Sequence, residues 1–231
     1  MEFCRDVNFF MAKTRNKRFK NSIDIGVHKF QYNDRSAFVY KEKDNIVIIF
    51  GLVVDSHGYK RSVSEIAREL VDSSSINEFI KKTKKLAGRF VIISQLKTDL
   101  IVLPDPSCSI HVAYICDKNH ELKLSSNPKL IADYDGLQES ELSSQIKPQA
   151  EEMHPLPYDL TMYDEIKFVI PNHYLDCRER KMIRYYPLDE IANVSSERAA
   201  QISVSLLENI VKGYVTRTNL SIPLTAGIDS R

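Results

Sequence analysis

The sequence has no tryptophan, only four cysteines and only seven glycines in 231 residues. Cys4, Cys108, Cys116 and Cys177 contain no C-x-x-C pair, which excludes a disulfide scaffold and a zinc ribbon. Seven glycines and nine prolines are too few for a collagen-like or low-complexity chain. Charge of one sign is also lacking: 32 Lys and Arg against 31 Asp and Glu leave a net +1. That balance gives no global pull toward nucleic acid or an acidic membrane. Long apolar runs are missing as well. In the opening MEFCRDVNFFMAKTRNKRFK, charge interrupts each one, short of the ~7–15 residues of a signal-peptide core or the ~20 of a membrane helix. The expectation is a cytoplasmic protein with reduced thiols and no membrane partner.

What is there is an ordinary globular composition, with room for one large domain or two small ones. The run Lys13, Arg15, Lys17, Arg18 and Lys20 has no periodic aromatics around it. It reads as a solvated loop rather than a nucleic-acid patch. His28, His57, His111, His120, His154 and His173 are scattered without ligand spacing, so no metal is expected of them. Glu151 and Glu152 sit in a polar stretch with nothing converging on them.

The element pattern is mixed. Residues 45–54, NIVIIFGLVV, are apolar and β-branched, as in a strand buried on both faces. Ser62 and Ser75 each stand three residues before a glutamate, Glu65 and Glu78, the capping-box spacing that opens a helix. Val63, Ile66, Ala67, Leu70 and Val71 then give the first helix one apolar face. Lys81, Lys82, Lys84 and Lys85 suit the end of the second, and Gly88 is placed to terminate it. Strands are expected at 89–95 and 100–103, then at 110–116 and 121–124 as a second hairpin. A short helix and a linker-like loop are expected within 136–160. Strands follow at 166–170 and 173–175, then one long helix over 195–215 with Ala199, Ile202, Leu206, Ile210 and Tyr214 as its apolar stripe. Strands, two helices and then antiparallel strands make the class α+β.

The last residues carry the most chemistry. Asn219–Leu224 reads as a strand, and Thr225-Ala226-Gly227-Ile228-Asp229-Ser230 as a turn of small residues. Such a turn lets backbone N–H groups approach a phosphate, with the Ser230 hydroxyl as a further donor. An ordinary turn after a strand is the competing reading of the same residues.

The stretch 225–230 resembles the pyrophosphate loop of ATP pyrophosphatases. With Ser195–Leu224 before it, and with Thr161–Leu175 and Arg184-Tyr185-Tyr186-Pro187, it is similar to the asparagine synthase family. Leu86-Ala87-Gly88-Arg89-Phe90, Asp105, Tyr114 and Ser126-Asn127-Pro128-Lys129-Leu130 resemble the second half of that family's glutaminase domain. The resemblance implies two units. Residues 1–187 would be an N-terminal-nucleophile-hydrolase-like, four-layer αββα sandwich. Residues 188–231 would be the first helix and strand of an α/β synthetase domain, which adenylates a small carboxylate with ATP and Mg²⁺ before an amine displaces AMP. On that reading Leu224 lies beside the adenine and Thr225, Ala226, Gly227, Asp229 and Ser230 hold the phosphates, with Asp229 toward the metal.

The departures from the family are as informative. Its glutaminase needs a cysteine at the mature N-terminus, where thiol and α-amine belong to one residue. This sequence opens Met1-Glu2-Phe3-Cys4. An Asn-Gly pair that supplies an oxyanion donor is Phe50-Gly51 here, and phenylalanine donates nothing. The acidic substrate motif is not recognisable in Asp72–Glu78. The expectation is an inactive glutaminase, leaving either the front part of an amide-forming ligase or a non-catalytic scaffold or docking module. Because the sequence stops one residue after Ser230, weak ATP binding is expected of this chain alone. Ser195–Arg231 is expected to be loosely held, or to associate with a second copy or a partner protein.

Overall fold

The computed structural model describes residues 9–33, 37–141, 145, 156–188, 190 and 193–221. Among them are twelve strands: β1 (Phe9–Ala12), β2 (Asn21–Ile25), β3 (His28–Tyr32), β4 (Ala37–Glu42), β5 (Asn45–Asp55), β6 (Leu86–Leu96), β7 (Asp99–Pro104), β8 (Ala113–Ile115), β9 (Leu124–Ser125), β10 (Ile166–Phe168), β11 (His173–Asp176) and β12 (Lys181–Arg184). The helices are α1 (Val63–Val71), α2 (Ile76–Thr83), α3 (Pro128–Asp135) and α4 (Ser196–Val215). The strands form two antiparallel six-stranded sheets, ordered β10-β8-β9-β1-β3-β2 and β12-β11-β7-β6-β5-β4.

The side chains of β5 show how the layers stack. Ile46, Ile48 and Phe50 enter the core between the sheets, with Phe9, Met11 and Phe30 opposite. Val47, Ile49 and Val53 point the other way, onto Ile66 and Leu70 of α1 and Phe79 of α2. A strand with apolar residues on both faces is what a sheet covered on both sides requires. The other sheet is backed by α3 through Leu130 and Ile131, which meet Phe10, Ala113 and Ile166. The fold is therefore α+β: two antiparallel sheets face to face, with helices outside each.

Both predicted helix starts are present. Ser62 accepts from the Glu65 N–H, and the Glu65 carboxylate accepts from the Ser62 N–H, closing the capping box of α1. At α2, Ser75 accepts from Glu78 N–H, but the return bond shifts by one residue: the Glu78 carboxylate accepts from Ser74 N–H at 2.8 Å and Ser74 Oγ at 2.6 Å. Hydrogen bonds from Lys82 and Ser74 push the Glu78 carboxyl down from its ordinary 4.5 to about 2. A depressed carboxyl adds stability that is fully present above the unfolded value and is lost as pH falls through the folded one. Thermal stability should therefore fall between pH of about 4.5 and about 2. Glu78→Gln should lower stability at pH 7 and flatten that decline, read by melts at stepped pH. An unchanged acid limb would contradict it.

The structure departs from the sequence reading at three places. Gly88 does not end α2, which stops at Thr83; it lies inside β6 with φ +137°. The short helix expected within 136–160 is present at Glu141 and Gln145, with 142–144 and 146–155 outside the described residues, and a helix the sequence reading did not name is α3, whose N-cap is Asn127 and whose left-handed C-terminal residue is Gly136. Proline at the first turn and glycine just past the end mark that helix. Strand β12 has no counterpart in the sequence reading; it pairs with β11 through His173↔Arg184 to Asp176↔Lys181. The basic run 13–20 is an exposed loop between β1 and β2, tied down by buried Phe19 stacked on Phe10. No helix among the described residues is long and apolar enough to cross a membrane.

Candidate functional site

Leu224, Thr225, Ala226, Gly227, Asp229 and Ser230, the residues read as an ATP site, lie outside the described residues. So do Cys4, Glu151, Glu152 and His154. Of the strand expected at Asn219–Leu224, residues 219–221 are described and are not in a strand. The structure does describe Phe50, the residue read in the sequence as replacing an oxyanion donor, and the seat of α4.

Phe50 is fully buried between the sheets. Its ring makes edge contacts with Phe9 and Phe30, both at 5.7 Å between centroids, and with Tyr32 at 6.1 Å. Substituting asparagine there would strand an amide in an apolar, aromatic core. Gly51, beside it, has φ +100°, and a Cβ at that position would lie 2.3 Å from the Arg89 carbonyl oxygen.

None of the described cysteines is an activated nucleophile. Burial pushes the Cys108 thiol up to about 12, and it raises Cys116 and the wholly buried Cys177 as well. A thiol with a raised pKa is a poor source of thiolate at neutral pH. The consecutive Asp55-Ser56-His57 do not form a triad. Ser56 Oγ donates to the Lys85 carbonyl at 2.8 Å and lies 3.2 Å from His57 Nδ1, but the Asp55 carboxylate pairs with Arg61 at 2.6 Å and meets His57 only at its backbone N–H, so no carboxylate orients the ring. Among the described residues no group of three His, Cys, Asp or Glu could hold a metal.

The charged groups that do converge sit at the end of β5. Arg61 bridges Asp55 at 2.6 Å and Glu69 at 2.5 Å, while Lys85 reaches Glu69 at 2.8 Å and Asp55 at 3.7 Å. Burial opposes charge on Glu69 and on Arg61, but their mutual hydrogen bonds outweigh it, so Glu69 is held low and Arg61 high. Two acids and two bases thus satisfy one another.

The last turn of α4 is seated on this network. Gly213 is the only buried residue of the helix, and a Cβ there would lie 3.0 Å from Val54 Cγ1. Just past the helix, Arg217 donates from Nη1 to the Val53 carbonyl at 2.6 Å and from Nη2 to the Arg61 carbonyl. Burial lowers the Arg217 pKa, partly offset by Asp55. The rest of α4 stands clear of the sheets: Val204, Leu207 and Val215 are more than half exposed. Sequence periodicity found the helix and its apolar stripe, of which Ala199 is half-buried. Ile202 is exposed, and Leu206, Ile210 and Tyr214 are half-buried.

A second polar feature, the Asp105 turn, was named in the sequence but not its role. The buried Asp105 carboxylate accepts from Ser107 Oγ and Ser109 Oγ, both at 2.6 Å, and from the N–H groups of both serines. Its own N–H donates to the Phe90 carbonyl at 2.9 Å. The carboxylate therefore folds the 105–109 turn back on itself. The spacing Asp-x-Ser-x-Ser was the signal, since serines two and four residues on can donate to one carboxylate.

No family model and no curated protein matches this sequence. Among solved structures, glutamine phosphoribosylpyrophosphate amidotransferase from B. subtilis, complexed with ADP and GMP, is similar at 10% identity and a TM-score of 0.43. A structure of the allosteric regulatory enzyme of purine biosynthesis is similar at 8% identity and a TM-score of 0.41. Each match covers 78% of this chain and 43% of the other, so the chain spans less than half the length of both. These likenesses are distant and partial and carry no argument about chemistry. The layer order rests on the strand pairing and burial described above.

Proposed function

We propose that the sandwich of residues 1–187 is a non-hydrolysing platform for an ATP-dependent, amide-forming ligase unit that begins at residue 188 with α4. The observation that carries the platform reading is Phe50: the position that would need a side-chain donor is a ring at the centre of an aromatic core. The seat of α4 supports the link between units. Gly213 and Arg217 fasten the helix to the end of β5, so the stretch leading to 224–230 starts from a fixed point on the sandwich.

In this proposal Leu224 borders adenine, Thr225, Ala226, Gly227 and Ser230 cradle the ATP phosphates, and Asp229 faces Mg²⁺. That assignment rests on the resemblance alone. ATP would activate a small carboxylate, and free ammonia or an internal amine would replace glutamine as the nitrogen source.

Two measurements on the native protein test this. Glutamate release from glutamine should stay at the blank with and without ATP, and turnover above it would end the platform reading. Mg²⁺–ATP should slow hydrogen exchange over 216–231. No protection would remove the ATP reading and leave a scaffold or docking module, which the same Phe50 packing supports.

A further inference from the structure

We propose that the cavity between the end of α2 and the β11–β12 hairpin is a binding site for a single-ring aromatic carboxylate. The cavity has a volume of about 270 Å³ and is lined by Thr83, Lys84, Phe90, Leu103, Pro106, Asn172, Tyr185 and Tyr186. Three of these are aromatic and two more are apolar, which suits a flat ring. The volume lies just under the ~300–1,000 Å³ of sites for drug-sized ligands, so one ring fits and a nucleotide does not.

Among the polar lining residues, Thr83 Oγ1 is satisfied by the Ile80 carbonyl at 2.8 Å, while Lys84, Asn172 and Tyr185 offer donors with no side-chain partner among the described residues. Among the described residues Lys84 makes no ion pair or hydrogen bond, whereas its neighbours Lys82 and Lys85 are neutralised by Glu78 and Glu69. The Asn172 backbone carbonyl accepts from Tyr185 N–H at 3.0 Å, which fixes the hairpin end. The Asn172 side-chain amide, on a backbone with φ +63°, has no partner among the described residues. Tyr185 is 7% exposed and its hydroxyl is likewise unpartnered. Burial pushes that phenol up to about 12, with Cys108 and Asp105 adding to the rise, so at neutral pH it is a neutral donor. A carboxylate accepts from several donors at once and complements the free ammonium. Among the described residues no carboxylate lines the cavity to compete.

The test is an NMR titration of the full chain with 4-hydroxybenzoate, and with 4-hydroxybenzamide as its neutral counterpart. Saturable shifts are expected at Lys84, Phe90, Tyr185 and Tyr186, with the acid binding more tightly than the amide. Lys84 is exposed, so K84Q should fold normally. It should weaken the acid by roughly three- to fivefold, the size of an exposed ion pair, and leave the amide unchanged. Tyr185→Phe keeps the ring and should weaken both probes. Equal affinity for acid and amide, no response to K84Q, or saturable shifts confined to other residues would overturn the proposal. So would the absence of any saturable shift. None of these readouts depends on ATP or glutamine chemistry, so failure here is distinguishable from failure of the proposed function.

Discussion

Gly88→Ala should leave little or no folded protein. The methyl group would lie 2.2 Å from the Leu52 carbonyl oxygen and 3.2 Å from Val53 Cα, at φ +137°. All of these contacts are backbone, within the β5–β6 ladder where Gly88 faces Val53. No rotamer change relieves a backbone clash, so the ladder itself would have to open. The expected loss is about 4 kcal/mol or more, from strain and overpacking together. Against a total stability of ~5–15 kcal/mol, that is most of the margin of a typical domain. Gly51 makes the reciprocal approach to the Arg89 carbonyl, so the two glycines cross-brace one bend in the sheet. Gly136→Ala is the control. It also has positive φ, +70°, but nothing lies within 4 Å of the added carbon. Its cost should be the left-handed penalty of about 1–2 kcal/mol. Soluble yield and urea unfolding of the three proteins decide it. A Gly88→Ala protein as stable as Gly136→Ala would refute the close-approach argument.

Gly88 also shows where local reading of the sequence fails. A glycine after a lysine-rich helical stretch has the form of a C-terminal cap. Here the helix ends five residues sooner, with Thr83 Oγ donating to the Ile80 carbonyl, and the glycine belongs to the strand. The competing rule, that glycine within a strand marks close backbone approach, holds here. The run RFVIISQ directly after Gly88 was the cue. The two serine caps, the doubly buried β5, the β6–β7 hairpin and the long α4 were legible because each depends on neighbours within one element. The partners of β1 were not. Phe9–Ala12 is fully buried between β3 and β9, and its Phe10 pairs with Ser125. No periodicity in a four-residue segment encodes a partner so far along the chain. The candidate site was least legible of all. The lone charge on Lys84 is meaningful only because Lys82 and Lys85 are paired by acids on α2 and α1. In sequence the lysines look alike.

The same contrast between paired and unpaired charge gives the other large expected effect. Lys123 is nearly inaccessible, with its side chain 4% exposed. Its ammonium lies 3.0 Å from Asp135 Oδ1 and 5.3 Å from the centroid of the Tyr134 ring. Among the described residues, Asp135 Oδ2 is the one fully buried side-chain oxygen or nitrogen without a hydrogen-bond partner. Lys123 is therefore the charge partner of this carboxylate. Lys123→Met keeps a long apolar side chain over Tyr134 but removes the ammonium, leaving a carboxylate with neither charge partner nor donor. Breaking one side of a buried pair costs about 3–5 kcal/mol. Removing both charges avoids that penalty, and pairs replaced by packed apolar groups are often neutral or better. The double variant Lys123→Met/Asp135→Leu should therefore be more stable than Lys123→Met alone. A double-mutant cycle by urea unfolding measures this directly. If the two single losses simply add, the pair does not hold α3 against β9 through its charges. The outer helix layer would then rest on Leu130 and Ile131 alone. If the double variant recovers most of the loss, the ion pair serves mainly to neutralise a carboxylate that the end of α3 carries into the interior.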